Sequence, residues 1–568
     1  MAVQGPVQPV VLREALPVSP SLLVDGGYGD ALAGYVRGAM GELAGASGPA
    51  AQGYLAALAE DPDNMVLRSR VFETALLEGD VTTAIRLARA MPAQPVARVE
   101  GKQAQGSAMP ALVRVVGSLH DGNLPQARSD VAVLVRQAPE LVQFKLLEAY
   151  VAIAQGEPVA KQAAMLAAMP VPQPLEARKQ YHIARMWQGV GDEARMLEAL
   201  ELSNRLEPGA LFTTLMLADV KARMGNMDEA QGLVRVFRDK NAHVALLEDE
   251  MVRLQGGHLG SVFAPNLKHN AAMTLFDFGL LVWSQGAVMP ARQIMNQALY
   301  LDPANPYILY YAGIVDESAK AFGAATVKYG AIDKASPVGL AARIKLAEAV
   351  FRDGDKDRAM AMAKGLVRER PTVQAAQRSL AEMAFDGRDY ATALEAYDNL
   401  LKTHAATSTA TTPASVLAAM YFARGASYER LGDYGKAADD LSLSLIINPT
   451  NPSVLNYLAY MWVEQGRNMP ESVLMLERAH EAAPDDGAIM DSLGWAYYRQ
   501  GNYAKALPLL EQAADATPDD ATVYLHLGDC YAKVGNVVSA QRYWRLAKTL
   551  LTSDDDVAVR RAIEGRVR

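Results

Sequence analysis

Apolar positions are spread evenly from about residue 31 to the C-terminus, led by Ala and Leu, with few β-branched clusters and with Gly recurring at regular intervals. That pattern predicts helices throughout. The most hydrophobic stretches, such as Phe278 to Trp283, are too short to span a bilayer, and there is no run of 18 or more apolar residues.

The predicted helices repeat. Gly494, Tyr497, Gly501, Ala506 and Ala513 return as Gly528, Tyr531, Gly535, Ala540 and Ala547, each 34 residues on. Each unit reads as two antiparallel helices. A small residue at its eighth position (Gly425, Gly494, Gly528) and another at its twentieth (Ala437, Ala506, Ala540) let the helices approach closely. Large residues at the eleventh (Tyr428, Trp462, Tyr497, Tyr531) and twenty-fourth (Leu441, Leu510, Trp544) fill the space between neighbours. Gly432, Gly466, Gly501 and Gly535 fall where a first helix must end in a left-handed residue. Pro449, Pro484 and Pro518 stop the second helix for want of an N–H, and Asn451, Asp486 and Asp520 beside them are natural caps for the next.

These residues resemble the tetratricopeptide repeat family over 418–451, 452–486, 487–520 and 521–554; the second unit carries one extra residue near Asn468 and has Ser472 in place of the usual alanine. The same ruler finds units from 272 (Gly279, Gly286, Ala291, Ala298, Pro303) and 306 (Gly313, Ala325, Tyr329, Pro337), and Ala359 with Pro371, then Ala393 with Tyr397, carry the run to about 405. Units from 31, 65 and 108 follow from Gly38, Tyr54, Gly79, Gly122 and their partners, with weaker ones at 142, 177 and 211. About fourteen units result. The resemblance implies an all-α, right-handed α-solenoid (superhelix) of helix pairs with first helices lining its concave face. The expected organisation is an extended Pro/Gly-rich segment at 1–30 and repeats over 31–405, irregular at 92–107 and 242–271. A Thr/Ala-rich linker at 406–417, a C-terminal repeat domain at 418–554 and a capping helix at 555–568 complete it.

Composition adds exclusions. Net charge is -9, and no segment concentrates Lys and Arg, so nucleic acid is not an expected partner. Cys530 is the only cysteine, which rules out an intramolecular disulfide and a cysteine-based zinc site. No phosphate loop is present; Gly27-Tyr28-Gly29 lacks the third glycine of a dinucleotide fingerprint, and His480-Glu481 runs into Pro484 where a zinc-protease helix needs its second histidine. Acidic pairs such as Asp485-Asp486 recur at turns, as caps do. The expectation is therefore a chain with no catalytic residues, no metal and no cofactor: a scaffold or adaptor, not an enzyme. An unrecognised enzyme would need a catalytic domain, and about thirty residues at 242–271 cannot fold one.

By the same resemblance, the second, fifth, ninth, twelfth and thirteenth positions of each first helix face the groove. In the last four units these are Phe422, Glu429, Arg430, Asn456, Tyr460, Asp491, Trp495, Tyr498, Arg499, Asp529 and Lys533, with His526 alongside. Rings offer rigid contact area, while Asn and Asp can bond an extended backbone, so the expected partner is a protein or peptide, with self-association a further possibility. The carboxylate clamp of chaperone-binding relatives is not reproduced: Asn456 is present but the Lys and Arg pattern is not. The runs Leu455 to Tyr460, Asp491 to Tyr498 and His526 to Asp529, with Tyr54 and Asp61 to Asn64 near the front, resemble long proteobacterial tetratricopeptide proteins. Some of those are outer-membrane lipoproteins acting as adaptors of a carboxyl-terminal processing protease, which implies a protease or its substrates as partner; a cell-envelope assembly factor for polysaccharide or outer-membrane biogenesis is the alternative. Residues 1–20 lack a basic start, apolar block and cleavage site, so the chain as written reads as cytoplasmic, or as periplasmic or outer-membrane-associated if a leader precedes Met1.

Overall fold

A computed structural model describes residues 28–43, 47–91, 108–241, 245–248, 250, 253, 266–407, 414–552 and 557–567. Among them are twenty-nine α-helices and no strand. Twenty-eight of these form fourteen consecutive pairs, from Tyr28–Leu43 with Ser47–Glu60 to Ala521–Lys533 with Val537–Leu550, and Val557–Arg566 follows alone. The expected irregular stretch at 92–107 and most of 242–271 lie outside the described residues. The ends of the expected linker are helical: Tyr390–Thr407 runs into it and Ala414–Arg430 begins within it, while Tyr28–Leu43 starts inside the segment expected to be extended. No helix among the described residues is long and apolar enough to cross a membrane.

The local devices act as their chemistry requires. Gly432, Gly466, Gly501 and Gly535 all have φ between 66° and 84°, where any side chain would be strained. Asn451, Asp486 and Asp520 each accept two backbone N–H groups of the following helix, satisfying donors that the helix start leaves open. The extra residue near Asn468 is absorbed by a second left-handed position, Asn468 itself at φ 46°. Ser472, fully buried where an alanine is usual, turns its hydroxyl onto the Asn468 carbonyl at 3.0 Å, so the substitution leaves no polar atom unpaired. The small-against-large rule holds at atomic distance. A Cβ built on Gly528 would lie 2.5 Å from the Trp544 ring, one on Gly494 2.8 Å from Leu510, and one on Gly313 2.5 Å from Tyr329.

The chain divides into two compact units, residues 1–362 and 363–568. In the C-terminal unit, one continuous core runs from Ala437 and Leu441 through Leu476 and Leu510 to Ile563 on the last helix.

The N-terminal unit does more than stack its repeats in order. Helix Leu267–Ser284 returns to lie across the first helices of three earlier pairs. Phe278 packs edge-on to Phe144 with centroids 5.5 Å apart, Asp277 Oδ2 lies 3.0 Å from His182 Nε2, Asn270 Oδ1 accepts from Arg185 at 2.8 Å, and Phe276 meets Phe212 at 5.5 Å. His182 in turn bonds the Tyr150 hydroxyl at 2.9 Å. Arg185 and Phe212 stand at the ninth and second positions of their units, which are groove positions. The first-helix face of these repeats is thus partly covered by the chain itself. The next helix, Val288–Leu301, completes the contact: Asn296 Nδ2 donates to the Leu76 and Leu77 carbonyls at 2.9 and 3.1 Å, capping the end of helix Met65–Glu78.

A candidate peptide-binding face in the C-terminal repeats

In the C-terminal unit the equivalent face is built from helices Ala414–Arg430, Pro452–Gln465, Gly487–Arg499 and Ala521–Lys533. At its centre three rings stack. Trp495 lies between His526, at 3.9 Å and 13°, and Tyr498, at 4.6 Å and 9°. Trp495 and Tyr498 are three residues apart on one helix, hence on one face. His526 is supplied by the next repeat. The stack is braced from behind: both Asp491 carboxylate oxygens lie within 3.0 Å of His526 Nδ1, and Glu464 accepts from Trp495 Nε1 at 2.6 Å and from Arg499 at 3.4 Å.

Burial of His526 works against its charged form, but the Asp491 carboxylate, with Glu464 and Asp529 beyond it, outweighs that and raises its pKa above the ordinary 6.5. Tyr460 stands beside the stack, and burial, with Glu464 and Asp491 nearby, raises its hydroxyl far above the usual phenol value. It stays a neutral donor.

Asn456 is half-buried one helical turn before Tyr460, and its side-chain oxygen is shielded from solvent without a partner among the described residues. Whichever way the amide is turned, a hydrogen-bonding group is left over. Toward the preceding repeat the wall continues as Phe422, edge-on to Tyr457 at 5.4 Å, with Tyr457 donating to Glu429 at 3.0 Å. Arg430 and Lys533 are exposed at the two ends.

Three expected contact residues prove to be supports. Asp491, His526 and Asp529 are 6%, 4% and 6% exposed, because their polar atoms are spent inside the fold. Asp529 is held by Trp544 Nε1 at 2.9 Å and by Arg566 of the last helix at 2.8 and 3.0 Å. The sequence reading missed Glu464, Tyr457 and Arg566. Glu464 occupies a thirteenth position, so the register would have found it; Arg566 lies beyond the repeat, where no register applies. Cys530 is buried, and that burial, with Glu511 nearby, pushes its thiol up to about 11, so it is a packed core atom and a poor nucleophile.

A tetratricopeptide repeat model matches residues 307–373, 378–452 and 492–544, which take in helices Ala414–Arg430 and Ala521–Lys533 of this face but not Pro452–Gln465. Over those stretches the chain is made of tetratricopeptide repeats. Among curated proteins, the tetratricopeptide repeat-containing protein PA4667 of Pseudomonas aeruginosa is 33% identical over 87 residues, a stretch that is 15% of each chain. Similar solved structures include the Cut9-Hcn1 hetero-tetramer of APC/C (14% identity, 89% of this chain and 96% of that one, TM-score 0.38). A tetratricopeptide repeat protein from Parabacteroides merdae aligns over 52% of this chain and 99% of that one (15% identity, TM-score 0.35). YrrB, described as a tetratricopeptide protein with an unusual peptide-binding site, aligns over 32% and 88% (16% identity, TM-score 0.27). Tetratricopeptide repeats are in general protein-interaction scaffolds, and that coarse role is this chain's.

Proposed function

We propose that this tetratricopeptide-repeat protein is a non-catalytic scaffold whose C-terminal unit holds an extended segment of a partner protein along the Phe422–Asn456–Tyr460–Trp495 wall. The observation that carries the reading is the unspent Asn456 amide beside the braced ring stack. A shielded amide atom without a partner costs about 1–3 kcal/mol, and a backbone N–H or C=O of an extended peptide relieves that cost. The contrast with the N-terminal unit supports the same choice, since there the corresponding face is already partly covered by helix Leu267–Ser284. A processing protease or one of its substrates is the partner class in which such a segment would first be sought, making the chain an adaptor.

Selecting extended peptides from a random library against the purified chain tests this. Selected peptides should lose about fivefold to tenfold in affinity on Asn456→Ala, the worth of one hydrogen bond, and more on Trp495→Ala, with helicity unchanged. Peptides that bind both variants as tightly as the parent would overturn the assignment.

A further inference from the structure

Where helix Leu267–Ser284 crosses the N-terminal unit's first helices it does not fill the face completely. A cavity of about 160 Å³ remains between it and helices Gln173–Gly189, Leu211–Arg223 and Pro306–Ser318. The size is telling: an apolar protein cavity of about 150 Å³ admits benzene. Its walls are rings. Tyr181, Phe212, Phe276 and Tyr311 follow one another at centroid distances of 6.1, 5.5 and 5.5 Å, presenting the edges and faces against which another ring packs favourably.

Carboxylates on this wall outnumber its cations. Asp277 gives one carboxylate oxygen to His182 and its main-chain oxygen to Arg178 at 3.3 Å, leaving the second carboxylate oxygen without a hydrogen bond among the described residues. Glu207 adds a second carboxylate against the single Arg178 cation. Tyr181, only 3% exposed, has a hydroxyl with no partner among the described residues, a vacancy that costs about 1–3 kcal/mol if nothing fills it.

We infer that this pocket is a second binding site, distinct from the C-terminal face, for one monocyclic aromatic ring carrying a hydrogen-bond donor, a phenol above all. The ring lies among Phe212, Phe276 and Tyr311, and its hydroxyl donates to Asp277 while meeting Tyr181. An anionic ring is disfavoured by the two carboxylates. The same chemistry arrives either as a free phenolic molecule or as a tyrosine side chain of a bound protein.

Saturation-transfer NMR on the full-length chain, titrated with phenol, toluene and a pentapeptide with a central tyrosine, decides the matter. Phenol should give a saturable signal that Leu280→Trp, which fills the pocket from a half-buried wall position, abolishes. Tyr181→Phe should weaken phenol at least about fivefold and leave toluene unchanged. If Leu280→Trp disturbs the fold, as circular dichroism would report, Ala210→Leu at the half-buried rim serves as the second filling variant. Binding of phenol alone marks a small-molecule site, and binding of the peptide as well marks a side-chain subsite. No saturable phenol signal, or one that survives filling, would overturn the proposal.

Discussion

The packing rule that defines each repeat can be tested at one atom. Gly313 sits in the interior of helix Pro306–Ser318, where alanine is normally the better residue by about 1 kcal/mol. In this fold an added methyl would meet Tyr329 Cε1 at 2.5 Å and Cζ at 2.6 Å. That ring is 2% exposed and its hydroxyl is tied to Glu317 at 2.9 Å, so it cannot swing away without breaking a bond to a charged partner, which is worth about 1.5–3 kcal/mol. Overpacking of this kind costs about 1–3 kcal/mol. Gly313→Ala should therefore be net destabilising by about 1–3 kcal/mol despite its better helix propensity. Gly232 is the control: it lies within helix Met227–Lys240 with nothing within 4 Å of a built Cβ, and Gly232→Ala should stabilise by about 0.5–1 kcal/mol. Native-state hydrogen exchange read on peptides spanning 306–330 and 227–240 reports each change where it occurs. Two variants that shift protection in the same direction would refute the close-approach argument.

Other consequences are as direct. Arg424 bridges Asp440, 4% exposed, and Asp398 at 2.7 Å each, so Arg424→Met should cost about 2–3 kcal/mol in denaturant unfolding by leaving a buried carboxylate uncompensated. Asn296→Ala removes both bonds to the end of helix Met65–Glu78 and should accelerate exchange there by the equivalent of about 1–2 kcal/mol, although the two sites are more than two hundred residues apart in sequence. Because His526 is raised in the folded state, its contribution to stability is present below pH 6.5 and is lost as pH rises through the folded value; melting followed from pH 6 upward should show that decline, and Asp491→Asn should diminish it. With its thiol at about 11, native Cys530 should resist alkylation at pH 8 and react once the chain is unfolded in denaturant.

The features visible in the sequence are those that act within one repeat and its neighbour. The left-handed turns at Gly432 and Gly535, the caps at Asn451 and Asp520, and the Gly528–Trp544 contact each follow from residues at fixed spacing. Even the weak units from 142 to 240 carry left-handed turn glycines, Gly156, Gly191 and Gly225. Register puts the expected groove residues on the first helices but carries no information on depth: Asp491 and His526 fall at adjacent positions of successive repeats, and their pairing withdraws both from solvent. The return of helix Leu267–Ser284 was invisible to periodicity, which describes nearest neighbours only. Its trace in the sequence was different in kind. Asn270 and Asp277, polar and yet buried on an otherwise apolar helix, are the residues that needed partners from elsewhere, and they find them in Arg185 and His182.

That return has a consequence for how the N-terminal unit assembles. A stack of repeats held only by neighbours gains stability piece by piece and can nucleate anywhere. Contacts such as Asn296 to Leu76 and Gln293 to Glu73, which close a span of 220 residues, add a term that no single repeat can satisfy and that raises contact order above that of an ordinary helical array. During synthesis the first six pairs therefore emerge with their inner face open, and they reach their final state only once residues 267–301 have left the ribosome. Fragments ending between residues 212 and 266 lack that last piece, and their Phe144 and Phe212 rings, left without Phe278 and Phe276, make them natural clients for chaperones.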